Sequence, residues 1–214
     1  MVGKFGVHHE IIAVAQAMDK AGFAPSKSGN VSARLHDGFL ITPSGLPYVQ
    51  TTLADLVHLA FDGTVLSGGK PSSEWRFHAA IYAARPEVKA HVHTHSPRAT
   101  ALSATRRGIP AFHYMIALAG GADIRCADYA TFGTQELAEN AVRALEGRKA
   151  ALLANHGVIA LGATLAGAWM LAQEVENLAG QYLDILASGL EPVIIDEAEM
   201  MGVIDRFSGY GKVA

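Results

Sequence analysis

The sequence has little cysteine, little charge and no long apolar run, and each shortage argues against a class of protein. Only one of the 214 residues is cysteine, so no disulfide can form within the chain. The formal net charge is −3, from 20 acidic and 17 basic side chains, which argues against nucleic acid or an anionic membrane as the main partner. Because no window of about 20 uncharged apolar residues occurs, a membrane-spanning helix is not expected.

The remaining composition is typical of one globular domain. Since chains usually divide into domains at roughly 250–300 residues, we predict a single domain over 1–214. No signal peptide is visible at the start, and we expect a cytoplasmic protein. Charged residues make up 17%, against about 25% on average, and 50% are hydrophobic, which is enough for a core and a buried subunit interface. Composition does not explain the ten histidines.

Helical and extended patterns alternate along the chain. Apolar residues recur at helical spacing from Ile11 to Ala21, and apolar runs flank Asp37-Gly38, a pair typical of a two-residue hairpin turn. We expect Ser73 to cap a helix that begins at Glu74. The predicted helices are 11–21, 74–85, 97–105, 134–147, 164–188 and 196–208, and the predicted strands are 31–35, 39–42, 57–61, 90–95, 151–154 and 158–161. This order predicts a mixed α/β domain whose sheet is at least partly antiparallel.

Three of the ten histidines lie on one face of a predicted strand. His93 and His95 are two positions apart, so their side chains leave the same face and can hold one zinc or related divalent ion. His91 shares that face, but residues 91 and 95 are about 13 Å apart along a strand, too far to share an ion. Either adjacent pair could serve. The position of His95 at the strand end, where sites open to substrate, favours His93 with His95.

Two further side chains are candidates for the same site, each with a simpler alternative. His156 lies between Asn155 and Gly157, where two apolar strands are interrupted, and is either a third ligand or a turn residue. Three histidines and an open coordination position would make a catalytic zinc centre. Glu74 begins a predicted helix, where its carboxylate either interacts with the helix dipole alone or serves as a general base beside the metal.

Three loops, 28–30, 42–45 and 67–73, combine small and hydroxyl residues with free backbone N–H groups. Each loop alone is typical of an ordinary turn. Together they offer the groups that bind an anion such as phosphate. No phosphate-loop or dinucleotide-binding fingerprint is present.

Seven segments, in order along nearly the whole chain, together carry a resemblance to a known family. They are 28–32 (SGNVS), 40–45 (LITPSG), 71–78 (PSSEWRFH), 92–95 (VHTH), 109–116 (IPAFHYMI), 129–134 (YATFGT) and 155–157 (NHG). In these segments the chain resembles the class II aldolase/adducin family. The resemblance implies a central, mostly antiparallel sheet flanked by helices, and a homotetramer with active sites at the subunit interfaces.

The resemblance also implies roles for individual residues. The implied metal ligands are His93, His95, His156 and Glu74, with Zn²⁺ as the expected ion and Mn²⁺ or Co²⁺ as alternatives. The implied phosphate-binding residues are Gly29, Asn30, Ser44, Gly45, Ser72 and Ser73. Glu74 is expected to act as acid and base, Tyr114 as proton donor to the aldehyde end, and Phe132 and Tyr210 as further active-site residues. Lys27 stands where the family has a small hydroxyl residue, and is either an exposed loop lysine or an extra cation that alters substrate preference.

The implied reaction is reversible cleavage of a ketose 1-phosphate such as L-fuculose 1-phosphate. Its products are dihydroxyacetone phosphate and a short aldehyde such as lactaldehyde. The alternatives are an aldolase for 5-deoxy- or 5-methylthio-pentulose 1-phosphates, a pentulose-phosphate 4-epimerase, a dehydratase of methylthioribulose 1-phosphate, and a non-enzymatic, adducin-like interaction module. A lysine Schiff base, the other route to an aldol reaction, is disfavoured because no lysine lies in a matched segment.

Overall fold

A sheet of eight strands forms the centre of the protein, with helices on both faces. The structure, a computed structural model, describes residues 4–209, and their side chains from 6 to 207. The strands are β1 (Asn30–Arg34), β2 (Phe39–Ile41), β3 (Val57–Leu59), β4 (Val65–Ser67), β5 (Ala90–Thr94), β6 (Arg125–Ala127), β7 (Ala150–Leu153) and β8 (Gly157–Gly162). The α-helices are α1 (Lys4–Lys20), α2 (Trp75–Ala84), α3 (Pro97–Ser103), α4 (Gln135–Ala144), α5 (Leu165–Ala187) and α6 (Glu197–Gly209).

The strand order in the sheet is β4-β3-β2-β1-β5-β8-β7-β6. Neighbouring strands are antiparallel except β6 and β7, which are parallel. The predicted α/β domain with a mostly antiparallel sheet flanked by helices is therefore confirmed. None of the described helices is both long and apolar enough to cross a membrane.

Alternating side chains of the strands face two separate cores. On one face Val31, Val92 and Val158 are fully buried in a core shared with α1, α3 and α5. On the other face Ile41 and Ile159 are fully buried in a core shared with α2 and α4. Both faces of the central strands are covered, so nearly all of their side chains are buried, and a polar side chain among them requires a specific partner.

The three central strands β1, β5 and β8 determine where the site forms. Asn30 of β1 pairs with His93 of β5, which pairs in turn with Ile159 of β8. Strand β5 ends at Thr94, immediately before His95, and the turn between β7 and β8 carries His156. The histidines from these two segments therefore meet at one end of the central strands.

Several helix boundaries follow the capping residues of the sequence. The side chains of Thr134 and Thr164 accept hydrogen bonds from backbone N–H groups at the starts of α4 and α5, and Asp196 Oδ1 accepts one from Glu199 N–H at 2.8 Å. The predicted Ser73 cap is wrong. Helix α2 begins at Trp75, and the Glu74 N–H donates instead to Ser72 Oγ at 3.3 Å.

The hairpin between β1 and β2 forms as predicted, but its glycine has another reason. Neither Asp37 nor Gly38 has a positive φ, which the predicted turn type requires. A Cβ on Gly38 would lie 1.9 Å from the carbonyl oxygen of Leu59, so the close approach of β3 excludes any side chain there. The sequence does not predict the short strands β4 and β6, because each lies at an edge of the sheet and neither forms a buried apolar run.

Candidate active site

Four side chains that can bind a metal meet at the end of the central strand β5. The Nε2 atoms of His93 and His95 are 3.1 Å apart. Glu74 places Oε2 at 3.2 Å from His93 Nε2 and Oε1 at 3.0 Å from His156 Nε2. One ligand atom from each of these four residues lies within 4.8 Å of the other three.

A backbone contact orients the His93 ring toward this group. His93 Nδ1 lies 2.8 Å from the carbonyl oxygen of Val158, which can only accept, so Nδ1 carries the proton. The lone pair of a neutral His93 is then on Nε2, the atom that faces His95 and Glu74. This arrangement is typical of a metal-binding histidine, whose other ring nitrogen donates to a carbonyl or carboxylate.

Two glycines let the backbone come close enough for the histidines to meet. A Cβ on Gly29, whose φ is +82°, would lie 2.6 Å from the carbonyl oxygen of His93. A Cβ on Gly157 would lie 2.3 Å from the carbonyl oxygen of Thr94 and 3.1 Å from Cδ2 of His95. Both contacts are far below van der Waals separation, so a larger residue at either position would push β5 away from its neighbours.

The electrostatics of the group favour a neutral His95 beside an ionised Glu74 carboxylate. Burial lowers the pKa of His95 to about 3, and the charges of His93 and His156 act in the same direction. Burial raises the pKa of the Glu74 carboxyl, but the charge of His93 and hydrogen bonds from His156 and His93 outweigh it and hold that pKa well below its usual value. These are the protonation states in which both residue types bind a metal.

The separations and chemistry of these atoms fit a divalent metal ion. In a tetrahedral zinc site, bonds of about 2.1 Å place ligand atoms roughly 3.4 Å apart. Three of the separations, 3.0 to 3.2 Å, are close to that value, and all four ligand atoms lie within 4.8 Å of one another. Three imidazole nitrogens with one carboxylate are a donor set that zinc and related ions accept, and the group could therefore hold a divalent metal.

A cavity of about 320 Å³ opens over this group. It is lined by Glu74, His95 and His156 and by all six predicted phosphate-binding residues, Gly29, Asn30, Ser44, Gly45, Ser72 and Ser73. Lys27 and Phe132 line it as well, and Phe132 is 65% exposed. The structure thus brings the predicted phosphate and specificity residues and three of the four predicted metal ligands to the wall of one cavity, and the fourth, His93, is fully buried next to them.

Asn30 connects the two halves of the cavity. Its Nδ2 donates to Ser72 Oγ and to Glu74 Oε2, both at 3.0 Å. Ser72 Oγ also accepts from the Glu74 N–H, so its own hydrogen can be donated to a substrate. The loop at 28–30 is held from below by Tyr48, whose hydroxyl donates to the carbonyl of Gly29 at 2.6 Å.

Lys27 reaches across the cavity mouth from a strained backbone. Ser26 and Lys27 both have positive φ, 56° and 66°, which is uncommon for consecutive residues other than glycine. The Lys27 Nζ donates to the carbonyl oxygen of Gly45 at 3.3 Å. The side chain is exposed, and its charge lies next to the loops that carry Ser44 and Gly45.

Some predicted site residues are not among those lining the cavity. Tyr114 is 50% exposed and stacks against Phe207, with ring centroids 6.3 Å apart. Tyr210 lies outside the described residues. His91 is fully buried beside His78, with ring centroids 3.9 Å apart, and within the described part of the chain neither of its ring nitrogens has a hydrogen-bond partner.

Five further residues of the cavity wall have no individual role predicted from the sequence. Ser28 and Pro43 belong to the predicted anion-binding loops, and Tyr129, Ala130 and Asn155 lie outside them. Each lies within or beside a matched segment, so proximity along the chain could have indicated them. Asn155 has a positive φ of 54°, and its Oδ1 accepts from Arg106 Nε at 3.0 Å, which holds the turn that carries His156.

Comparisons with known proteins agree with this geometry. A model of the Class II Aldolase and Adducin N-terminal domain matches residues 9–183. The 5-methylthioribulose-1-phosphate/5-deoxyribulose-1-phosphate aldolase of Rhodospirillum rubrum is 49% identical over 99% of this chain and 95% of its own length. The L-fuculose phosphate aldolase of Escherichia coli strain CFT073 is 49% identical over 94% of each chain.

A solved structure shares the whole fold. An L-fuculose 1-phosphate aldolase superimposes with a TM-score of 0.92 at 38% identity, covering 97% of this chain and 98% of that one. The resemblance seen in the seven sequence segments is confirmed by these matches. Because the family match spans most of the chain and the relatives align over nearly its full length, this chain belongs to the class II aldolase and adducin family and is a class II aldolase.

Proposed function

We propose that this aldolase uses Zn²⁺ to cleave a ketose 1-phosphate reversibly, releasing dihydroxyacetone phosphate and a short aldehyde such as lactaldehyde. One observation carries the proposal: a carboxylate among three imidazoles lies at one side of a cavity whose other side offers hydroxyls and backbone N–H groups. The first group suits proton transfer beside a metal, and the second suits a phosphate. L-Fuculose 1-phosphate has both ends that this cavity requires.

The phosphate end of the substrate would bind the loops opposite the metal group. Ser44, Ser72 and Ser73 offer hydroxyls, and Gly29 and Gly45 allow close approach to backbone N–H groups. Lys27 adds a positive charge at the same end. Binding energy from this remote phosphate orients the three-carbon fragment over Glu74, so that it serves the chemical step as well as affinity.

The chemical step would take place beside Glu74. His93, His95 and His156 would hold a divalent ion, which when bound would supply a Lewis acid for negative charge on the oxygens of the three-carbon fragment. The Glu74 carboxylate moves the proton at the carbon that becomes nucleophilic. Its burial and its hydrogen bond from Asn30 hold it in place for that transfer.

The aldehyde end requires residues beyond those that line the cavity. We assign Tyr114 as the donor that protonates the aldehyde oxygen in the synthesis direction, and Tyr210 as a further active-site residue. Tyr114 is half exposed, so we propose that it reaches the cavity of a neighbouring subunit in a homotetramer. Phe132 would contact the apolar end of the aldehyde.

A second candidate substrate class is favoured by a specific observation. The Rhodospirillum rubrum relative, 49% identical, is named for 5-methylthioribulose 1-phosphate and 5-deoxyribulose 1-phosphate. Such substrates end in an apolar methyl or methylthio group, for which the exposed rings of Phe132 and Tyr129 offer a surface. The epimerase and dehydratase alternatives have no comparable support, and an interaction module has no need of the Glu74 and histidine group.

A substrate panel tests the proposal. Release of dihydroxyacetone phosphate should be measured in a coupled assay with the 1-phosphates of L-fuculose, L-rhamnulose, 5-deoxyribulose and 5-methylthioribulose. We expect cleavage of at least one, with a clear ranking among them. If none is cleaved while a pentulose 5-phosphate is epimerised, the aldolase proposal fails.

A further inference from the structure

Four polar side chains between β1 and α2 form a hydrogen-bonded chain that ends on Glu74. Asn30 and Ser32 come from β1, and His78 and Tyr82 from successive turns of α2; each is at most 1% exposed. The links are Asn30 Nδ2 to Glu74 Oε2 at 3.0 Å, His78 Nε2 with Asn30 Oδ1, Ser32 Oγ with His78 Nδ1 at 2.7 Å, and Ser32 Oγ with Tyr82 Oη at 2.8 Å. The metal group and the phosphate loops do not by themselves require the last three links.

The chemistry of the groups fixes the direction of every donor in this chain. The Glu74 carboxylate can only accept, so the Asn30 amide turns its NH₂ to Glu74 and its carbonyl oxygen to His78. His78 must therefore carry its proton on Nε2. Its Nδ1 then accepts from the Ser32 hydroxyl, whose oxygen accepts from Tyr82. All donors point toward Glu74, and hydrogen bonds aligned in this way polarise one another.

The environment of His78 allows only this one arrangement. Burial lowers the pKa of His78 well below its usual value, and the charge of His93 acts in the same direction, so the ring is neutral. A neutral imidazole has a single N–H to donate. The ring is also held between Phe77 and His91, at centroid distances of 4.8 and 3.9 Å, so it cannot turn freely.

We propose that His78 is a positioning residue whose Nε2–H holds the Asn30 amide in the orientation that donates to both Glu74 and Ser72. If the amide turned over, its oxygen would face the Glu74 carboxylate and repel it. By fixing Asn30, His78 holds the Glu74 carboxylate and the Ser72 hydroxyl at constant positions relative to each other. The inference rests on the proposed function, in which Glu74 moves a proton and Ser72 binds phosphate.

Two substitutions at position 78 separate positioning from packing. A glutamine amide ends close to the place of the histidine Nε2, whereas an asparagine amide ends close to Nδ1. His78→Gln therefore keeps a donor to Asn30 and loses the bond to Ser32, while His78→Asn does the reverse. Each removes one buried hydrogen bond, so a purely structural role predicts similar losses of Tm and of kcat for both.

The measurements are kcat for dihydroxyacetone phosphate release, Tm, metal content and a crystal structure of each variant. We expect His78→Asn to lower kcat about 10- to 100-fold, the effect of losing a hydrogen bond to a charged group, and His78→Gln to stay within about threefold of the unsubstituted enzyme. The distance from Asn30 Nδ2 to Glu74 Oε2 should exceed about 3.5 Å in His78→Asn only. Equal kcat in the two variants, or an unchanged distance in His78→Asn, would overturn the positioning role.

A third variant covers the case in which His78→Asn does not fold. Ser32→Ala leaves the ring in place but removes the hydroxyl that keeps its proton on Nε2, so kcat should fall about 3- to 10-fold. An unchanged kcat would contradict the inference. If the unsubstituted protein cleaves no ketose 1-phosphate, the proposed function fails, and the Asn30–Glu74 distance in the variants still decides what His78 does.

Discussion

Gly157, the first residue of β8, is the position at which a single methyl group would most disturb the metal-binding side chains. Its Cβ would lie 2.3 Å from the Thr94 carbonyl oxygen, 3.1 Å from His95 Cδ2 and 3.3 Å from His93 Cε1. Atoms in ordinary contact are about 3.5 Å apart, so Gly157→Ala requires a movement of about 1 Å. Strands β5 and β8 are paired from Ala90 to Thr94, which opposes that movement.

The expected cost follows from this overlap. We predict that Gly157→Ala lowers the free energy of unfolding by about 2–3 kcal/mol, as in overpacked cores. We also predict a loss of divalent-ion affinity of about 10- to 100-fold, because two ligand rings would move. Urea denaturation of the metal-free protein measures the first, and competition with a chelator measures the second.

Gly202→Ala is the matched control for this substitution. Gly202 lies in α6, and a Cβ there meets nothing within 4 Å. The same methyl group should therefore stabilise the protein by about 0.5–1 kcal/mol through helix propensity, with no change in metal affinity. A Gly157→Ala protein with unchanged stability and unchanged metal affinity would refute the argument from close approach.

Substrate affinity and the pH dependence of stability supply two more tests. Lys27→Met should raise KM for a ketose 1-phosphate about fivefold with little change in kcat, since a partly solvated charge contributes about 1 kcal/mol to binding. Lys20→Met, outside the cavity, is the control and should change neither KM nor kcat. An unchanged KM for Lys27→Met would exclude a contact between Lys27 and the phosphate. Burial holds the pKa values of His78, His91 and His95 below that of an unfolded histidine, so below about pH 6.5 the unfolded chain binds protons that the folded chain does not. The free energy of unfolding of the metal-free protein should therefore decrease as pH falls from 6.5, by up to about 1.4 kcal/mol per pH unit for each histidine. Urea denaturation at pH 7.5, 6.5 and 5.5 measures this free energy. A free energy of unfolding that rises toward pH 5.5 would contradict the prediction.

Residue spacing alone predicts the part of the site that lies on a single strand. His93 and His95 alternate on one strand, so their common face follows from the two-residue period. The same period places His91 on that face, and the structure shows why it is excluded from the site: it lies deeper, buried against His78. Glu74 and His156 join the group through long-range pairing. Their positions in the sequence made them candidates with simpler alternatives, and only the family resemblance assigned them as ligands.

The hydrogen-bonded chain behind Glu74 could not be predicted, because it depends on how α2 packs against β1. His78 and Tyr82 are four residues apart and therefore share one face of α2, but that spacing is equally typical of an apolar core face. Ser32 was the other available signal, as a hydroxyl residue between the apolar residues Val31 and Ala33. The error at Ser73 has a similar origin, since Ser72 is turned inward to Asn30 and the backbone N–H of Glu74.

The roles of Tyr114, Tyr210 and Lys27 stay predictions that one chain alone does not test. In the proposed homotetramer Tyr114 would act at the cavity of a neighbouring subunit, and Lys27 would contact the phosphate of the substrate. For these two residues the proposed partner is another molecule. Sequence and a single folded chain constrain such roles less than they constrain the metal group.

Metal-dependent cleavage is tested most directly by stripping the protein of metal, reloading it with Zn²⁺ and measuring dihydroxyacetone phosphate release for the unsubstituted chain and for Glu74→Gln. We predict that stripping abolishes release and that Zn²⁺ restores it with about one ion per chain. Glu74→Gln should still bind the ion but release product at least about 100-fold more slowly, the usual contribution of a positioned acid–base group. Full activity of the metal-free protein would contradict a metal-dependent reaction, and full activity of Glu74→Gln would contradict proton transfer by Glu74.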